Sequence, residues 1–276
     1  MKVIIFNDTQ NFNGSLSLMN SQFKKNEKRF WDYKKYIPFL VQKIKSIDTL
    51  GDKEFQLVKT LFYEGKYSSN LINTLRWNCN QKIRELNMMI EREKRLLDYI
   101  SQEKLSHTLR RKINVHVEEI KNQLEEEKQK CFSYVERQKR QFEGQKDLFE
   151  NLKGNPLIEI KLMPLKQWGG EIHQKGVDVL LAVDLVHLAH VNAYDLAVIL
   201  SGDTDLIEAV KLIKSLGKIA IIISYHTPGD PKMSNVSDLM NAGKFINLRD
   251  FTKQEIFEMS ELRKEKSNEE YDDKTN

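Results

Sequence analysis

Cysteine, proline and glycine are all scarce in this chain of 276 residues, and each scarcity excludes a class of protein. Two cysteines, Cys79 and Cys131, cannot build a disulfide framework, and with no Cys-x-x-Cys pair there is no ligand set for a structural zinc. Twelve glycines and five prolines exclude collagen-like or low-complexity sequence over most of the length. No apolar run reaches the ~18 residues needed to span a bilayer, so no membrane partner is expected. The opening Met1-Lys2-Val3-Ile4-Ile5-Phe6 turns polar without a small-residue cleavage site. It reads as a first strand rather than a signal peptide, and the expected location is the cytoplasm. Charge of one sign is lacking too: the net charge of +4 tolerates nucleic acid without demanding it. Charged residues make up 30% of the chain and hydrophobic ones 40%, which calls for long, solvated helical surface beside an ordinary core.

Six short apolar runs are predicted strands: 2–7, 56–63, 157–162, 196–200, 219–223 and 244–248. Helical spacing covers 32–47, with Pro38 near its start or at a kink, then 136–152, 178–191 and 204–216. Strands alternating with helices imply an α/β fold with a mostly parallel sheet and right-handed crossovers. The stretch 72–135 differs, having no strand signal, no glycine and no proline. Leu86, Met89, Glu93, Leu97 and Ile100 step by threes and fours, as do Leu109, Ile113, Val117, Ile120 and Leu124 after a polar break. This is the pattern of an antiparallel helical hairpin or coiled coil whose second arm can continue to Leu152. An arm of ~28 residues reaches roughly 42 Å, too far to lie wholly on one domain, so it is expected to project or to pair with another chain. The expected organisation is a first domain part at 1–71, the hairpin at 72–135, a second part at 136–256 and a polar, disordered tail at 257–276.

Acidic residues stand where an α/β sheet places its site, past the carboxyl ends of the strands. Asp8 follows the first strand. Asp203 and Asp205 follow the fourth, in Ser201-Gly202-Asp203-Thr204-Asp205, and Asp178 and Asp184 lie on the preceding helix. Gathered carboxylates repel one another unless a cation neutralises them, and an all-oxygen set suits Mg²⁺ or Mn²⁺. Asn11 is placed to bond a phosphate, a water on the ion or a neighbouring carboxylate. The plain alternative is capping: Asp8, Asp178 and Asp203 each precede or begin a helix or turn, and Asp205 favours a first turn. Capping does not account for an acid after both central strands, nor for Asp184 deep in its helix. Asp178 and Asp184 are separated by ~240° around that helix, so one of them is secondary.

Other constellations are weaker. His187 and His190 share a helix side but lack a third ligand. Lys24, Lys25, Lys28 and Arg29, interleaved with Phe23, Phe30, Trp31 and Tyr33, form a strip suited to unpaired RNA bases and phosphates. Arg110 and Arg111 near the hairpin turn are phosphate-contact candidates or a solvated face. Thr227-Pro228-Gly229-Asp230-Pro231 is a loop that rims the site or simply turns the chain.

Three segments together carry a family resemblance. Ile5-Phe6-Asn7-Asp8-Thr9-Gln10-Asn11-Phe12 resembles the opening Asp-x-x-Asn motif of the NYN family, the PIN-like ribonuclease group that includes LabA/DUF88 proteins. Lys175-Gly176-Val177-Asp178 is similar to its Lys-Gly-Val-Asp helix, and Ser201-Gly202-Asp203-Thr204-Asp205 to its strand-to-helix element. The resemblance covers about 1–70 and 136–256 and implies a PIN-like three-layer α/β/α sandwich. It also implies a Mg²⁺- or Mn²⁺-dependent nuclease acting most often on RNA. Carried over, Asp8, Asp184 and Asp203 form the metal-binding core, Asp178 and Asp205 complete the acidic ring, and Asn11 and Ser201 support it. Thr9 stands where the family usually has glycine, and Leu206 where it has an aromatic.

The expected function is therefore a metal-dependent ribonuclease, endonucleolytic, acting on single-stranded RNA. Asp8, Asp184, Asp203 and Asp205 are the catalytic acids, and Lys175 is a candidate for transition-state charge. The hairpin would serve a homodimer, a partner protein or substrate positioning. The alternative is a non-catalytic RNA-binding scaffold using the coiled coil for partners. An aspartyl-phosphate phosphatase is disfavoured because position 10 is Gln, and no phosphate-cradling glycine loop is present.

Overall fold

The computed structural model describes residues 1–47, 53–102, 106–168, 170–227 and 236–262. In chain order its elements are β1 (Lys2–Asp8), α1 (Thr9–Asn20), β2 (Arg29–Trp31), α2 (Tyr33–Lys45), β3 (Gln56–Lys66), α3 (Ser69–Gln102) and α4 (His107–Leu152). There follow β4 (Ile158–Pro164), β5 (Lys166–Trp168), β6 (Glu171–His173), α5 (Val177–His190), β7 (Leu196–Leu200), α6 (Ile207–Ser215) and β8 (Ile219–Ser224). The last are α7 (Val236–Ala242), β9 (Lys244–Asn247), α8 (Lys253–Glu258) and β10 (Ser260–Leu262). They divide into two compact units, one of 1–65, 154–163 and 175–276, the other of 66–153 and 164–174.

The first unit is built on one sheet of order β4-β3-β1-β7-β8-β9. β1 pairs in parallel with β3 and β7, β7 with β8, and β8 with β9. The six apolar runs read from the sequence are these six strands. Their continuous Val/Ile/Leu character follows from burial on both faces. On one face Ile4, Phe6, Ala197, Ile199 and Ile222 join Leu181, Leu185 and Val210 of α5 and α6 in a single core. On the other, Asn7 Nδ2 donates to Tyr36 Oη of α2, and Phe12 of α1 packs on Tyr36 with ring centroids 5.3 Å apart. Helices therefore cover both faces, giving three layers. Burying each of Leu181 and Leu185, both 0% exposed, contributes about 2 kcal/mol.

From β1 the chain moves to β3 on one side, and it later returns to β7 on the other. The order of strands thus reverses between β1 and β7, the switch point at which open α/β sheets place a crevice past the carboxyl ends.

Several details differ from expectation. Helix α1 is not evident in Thr-Gln-Asn-Phe-Asn-Gly-Ser, whose residues are poor helix formers; a cap supplied by Asp8 stabilises it. The fold extends past 256: α8 begins with a capping box of Thr252 and Glu255, and β10 pairs antiparallel with β2. The expected tail from 257 therefore starts too early, because Met259 and Ser260 are fully buried. Residues 263–276 lie outside the described residues.

The second unit is larger than the expected 72–135. Its helices α3 and α4 run to 34 and 46 residues, and α4 does continue unbroken to Leu152. Ile72, Leu75, Cys79 and Val135 form its buried cluster. Gln145 accepts from the Tyr67 N–H at 2.9 Å, which binds the start of α3 to the far part of α4. Cys79 and Cys131 form a pair across the hairpin with Cα atoms 5.9 Å apart.

Candidate metal centre

Asp8 ends β1 and caps α1, its Oδ1 accepting from the Asn11 N–H at 3.1 Å. Ser201, at the end of β7, donates to Asp8 Oδ2 at 3.0 Å. Asn11 Oδ1 accepts from the Gly202 N–H at 2.8 Å, so its side chain holds the β7 loop rather than an open phosphate position. A Cβ at Gly202 would collide with Ser224 Oγ, which accounts for glycine at this close approach.

The chain then turns through a short 3₁₀ segment, Thr204–Leu206, capped by Asp203, whose Oδ1 accepts from the Asp205 N–H at 3.0 Å. That turn, with Asp178 in the first turn of α5, brings carboxylate oxygens of Asp178, Asp203 and Asp205 within 4.8 Å of one another. Asp178 and Asp203 are half-buried and Asp205 is exposed. No salt bridge among the described residues neutralises the trio. Three hard oxygen donors this close fit Mg²⁺ or Mn²⁺.

Asp8 lies beneath, 7% exposed. Burial pushes its carboxyl above the usual range, the charges of Asp203 and Asp178 push it further, and the bonds from Asn11 and Ser201 oppose the shift. Capping and clustering are thus properties of the same residues.

The structure does not bring Asp184 to the trio. It accepts from Tyr63 Oη at 3.1 Å and lies 3.7 Å from Lys161 Nζ, in a row continuing through Glu159 to Lys59. The rotation of ~240° between positions 178 and 184 decides this: when Asp178 points to the crevice, Asp184 points to β3 and β4. Tyr63 and Lys161 were missed in the sequence, since their partner could be known only from α5's orientation.

The proposed RNA strip is not assembled as expected. Arg29 donates through Nε to Ser260 Oγ at 2.7 Å and through Nη2 to the Ser260 carbonyl at 2.8 Å, and it stacks on Phe257 at 4.2 Å. Its donors are used in joining β2 to β10, and burial lowers its pKa. Lys24 is exposed, and Lys25 begins a short 3₁₀ turn ending at Glu27. Arg110 donates to the Ser101 carbonyl at 3.2 Å near the end of α3, and Arg111 is exposed on α4. Lys175 is exposed just before Gly176, which takes φ 82° to begin α5. In the loop 227–231, residues from Pro228 onward lie outside the described residues.

A doubly covered parallel sheet with an acid cluster at its switch point defines the class: an α/β protein with three carboxylates gathered past the carboxyl ends of its central strands. The family model described as NYN domain matches residues 99–249, more than half the chain. The chain belongs to the NYN domain family, part of the PIN-like superfamily, a family of nuclease type. The matched span holds Asp178, Asp203 and Asp205 together with all of α4, while Asp8 lies outside it on β1, the strand paired with β7. No curated protein matches the chain. Among solved structures, a protein of unknown function, VPA0982 from Vibrio parahaemolyticus RIMD 2210633, is similar at 14% identity. That similarity covers 90% of this chain and 93% of the other, with a TM-score of 0.43.

Proposed function

We propose that this chain is a divalent-metal-dependent endoribonuclease acting on single-stranded RNA. The observation that carries the proposal is the juxtaposition of Asp178, Asp203 and Asp205 oxygens at the switch point, within 4.8 Å of one another. Asp178, Asp203 and Asp205 would hold the ion, Mg²⁺ or Mn²⁺. When bound, such an ion supplies charge toward a phosphodiester oxygen and acidity toward the attacking water. Asp8 adds negative potential from below and is fixed in place by Ser201 and the Asn11 N–H. Asn11, through Gly202, keeps the β7 loop at the distance that the trio requires. Lys175 and the N-terminal end of α5 offer positive charge to a phosphate in the crevice. Asp184 acts through the fold, not on the ion.

The test is incubation of the protein and of Asp203→Asn with a labelled single-stranded RNA and its DNA equivalent, in Mn²⁺, Mg²⁺ and EDTA. The expected result is RNA cleavage in either ion, none in EDTA, and loss in the variant. Equal cleavage by both proteins would assign the activity to a contaminant. A second reading, a non-catalytic RNA-binding scaffold, has one observation in its favour. Trp77, Met88 and Tyr99 recur at steps of eleven along α3 and are 62%, 66% and 63% exposed, an apolar face suited to a partner or a second copy. RNA binding without cleavage in Mn²⁺ would select it.

A further inference from the structure

Helix α5 departs from the usual amphipathic plan. Val177, Leu181, Leu185 and Ala189 are buried against the sheet, as expected of an inner stripe. The outer side should then be charged, yet Val179 and Val183 stand there 60% and 57% exposed. With Ala182 and Val186 they floor a groove whose other wall includes Ala209 of α6. The groove begins at Asp178 and Asp205, two members of the acidic trio, and ends at His187 and His190. From Asp178 to His190 the helix rises roughly 18 Å. The histidine pair, which has no third metal ligand among the described residues, thus shares one groove with the acids.

We infer that this groove is the nucleotide subsite of the RNA strand, holding the base next to the phosphate that lies on the acidic trio. The inference rests on the nuclease reading and adds to it the residues that bind substrate. Small, branched side chains give a flat apolar floor, which suits the face of a nucleobase and offers nothing to a charged ligand. The imidazole N–H groups of His187 and His190 stand at the far end, where they can donate to the next phosphate or to a base edge. A protein partner seated on the same floor would cover Asp178 and Asp205 and shut the crevice to substrate. That geometry favours the strand over a second copy as the occupant. Val179, Val183, His187 and His190 are then binding and positioning residues for the reaction.

Two variants test this, Val179→Ser/Val183→Ser and His187→Ala/His190→Ala, with folding checked by circular dichroism. In Mn²⁺-dependent cleavage of a single-stranded RNA, the expected result is a KM raised about tenfold, the worth of one lost base contact, with kcat kept within about twofold. A substrate lacking the base beside the cleaved bond should show the same rise, and the serine variant should add nothing to it. The same serine pair, placed on Asp203→Asn, should weaken binding of a fluorescein-labelled RNA by a similar factor, measured by anisotropy. Unchanged KM and unchanged anisotropy would overturn the inference while leaving the nuclease reading intact. A wild-type dimer that the serine pair converts to a monomer, seen by light scattering, would also overturn it by assigning the groove to a second copy. If the wild type does not cleave, the nuclease reading fails, and the anisotropy comparison still decides the groove.

Discussion

Ser201 Oγ donates to Asp8 Oδ2 at 3.0 Å and accepts from the Asp203 N–H at 3.1 Å, so one buried hydroxyl ties the acid after β1 to the loop after β7. Replacing Ser201 by Ala leaves Asp8 and the Asp203 amide each short of a partner. Loss of stability of about 1–3 kcal/mol is expected in urea denaturation, together with weaker Mn²⁺ binding by calorimetry. Native stability and native ion affinity in Ser201→Ala would show that the tie is dispensable.

The buried Asp8 carboxyl has a raised pKa, so the folded state holds its proton more tightly than the unfolded state does. Its contribution to stability is full below about pH 4, the unfolded value, and is lost as pH rises through the raised folded value. In EDTA, Asp8→Asn should therefore be more stable than wild type near pH 7, and the difference should shrink toward pH 4. Thermal denaturation across that range checks the sign; a variant less stable than wild type at pH 7 would contradict it.

An ion bound by the trio stabilises only the folded state. Mn²⁺ at about 100 times its Kd should add roughly 2.7 kcal/mol to unfolding. Asp203→Asn and Asp205→Asn should lose most of that gain, and Asp184→Asn should keep it. If Asp184→Asn abolishes the shift while Asp203→Asn does not, the assignment of ligands is reversed.

Tyr63, fully buried, has its hydroxyl pKa raised first by burial and then by Asp184, to which it donates. Tyr63→Phe removes that bond and leaves Asp184 with Lys161. A cost of about 1–2 kcal/mol is expected, with Mn²⁺ affinity unchanged. A matched loss of ion affinity would place Asp184 within the centre after all.

Cys79 and Cys131 stand 5.9 Å apart at Cα, a spacing that a disulfide spans. Mild oxidation should close the loop between them, 52 residues apart in sequence, without dimer formation, and stabilise the chain by up to about 4 kcal/mol. Free thiols counted by alkylation and mass, before and after oxidation, check this.

Much of the sheet could be read directly. The run Leu196–Leu200 is a strand without polar interruption because both its faces are covered, and the same holds for Ile219–Ser224. The short pairs β2–β10 and β5–β6 were not legible, since strands of three residues carry too little pattern. Arg29 was legible as a cation among aromatics but not as a structural one. Its acceptors, Phe257 and Ser260, lie more than 220 residues away.

The identity of the acids and their position after strands followed from the sequence alone, because short apolar runs and the polar residues ending them are local features. The tertiary structure decided which acids meet. Parallel pairing of β1 with β7 sets Asn7 opposite Leu200 and so places Asp8 beside Ser201. The rotation of α5 about its axis sends Asp178 to the crevice and Asp184 to Tyr63. Register and rotation are set by the packing of whole faces, and no single segment of the chain contains that information.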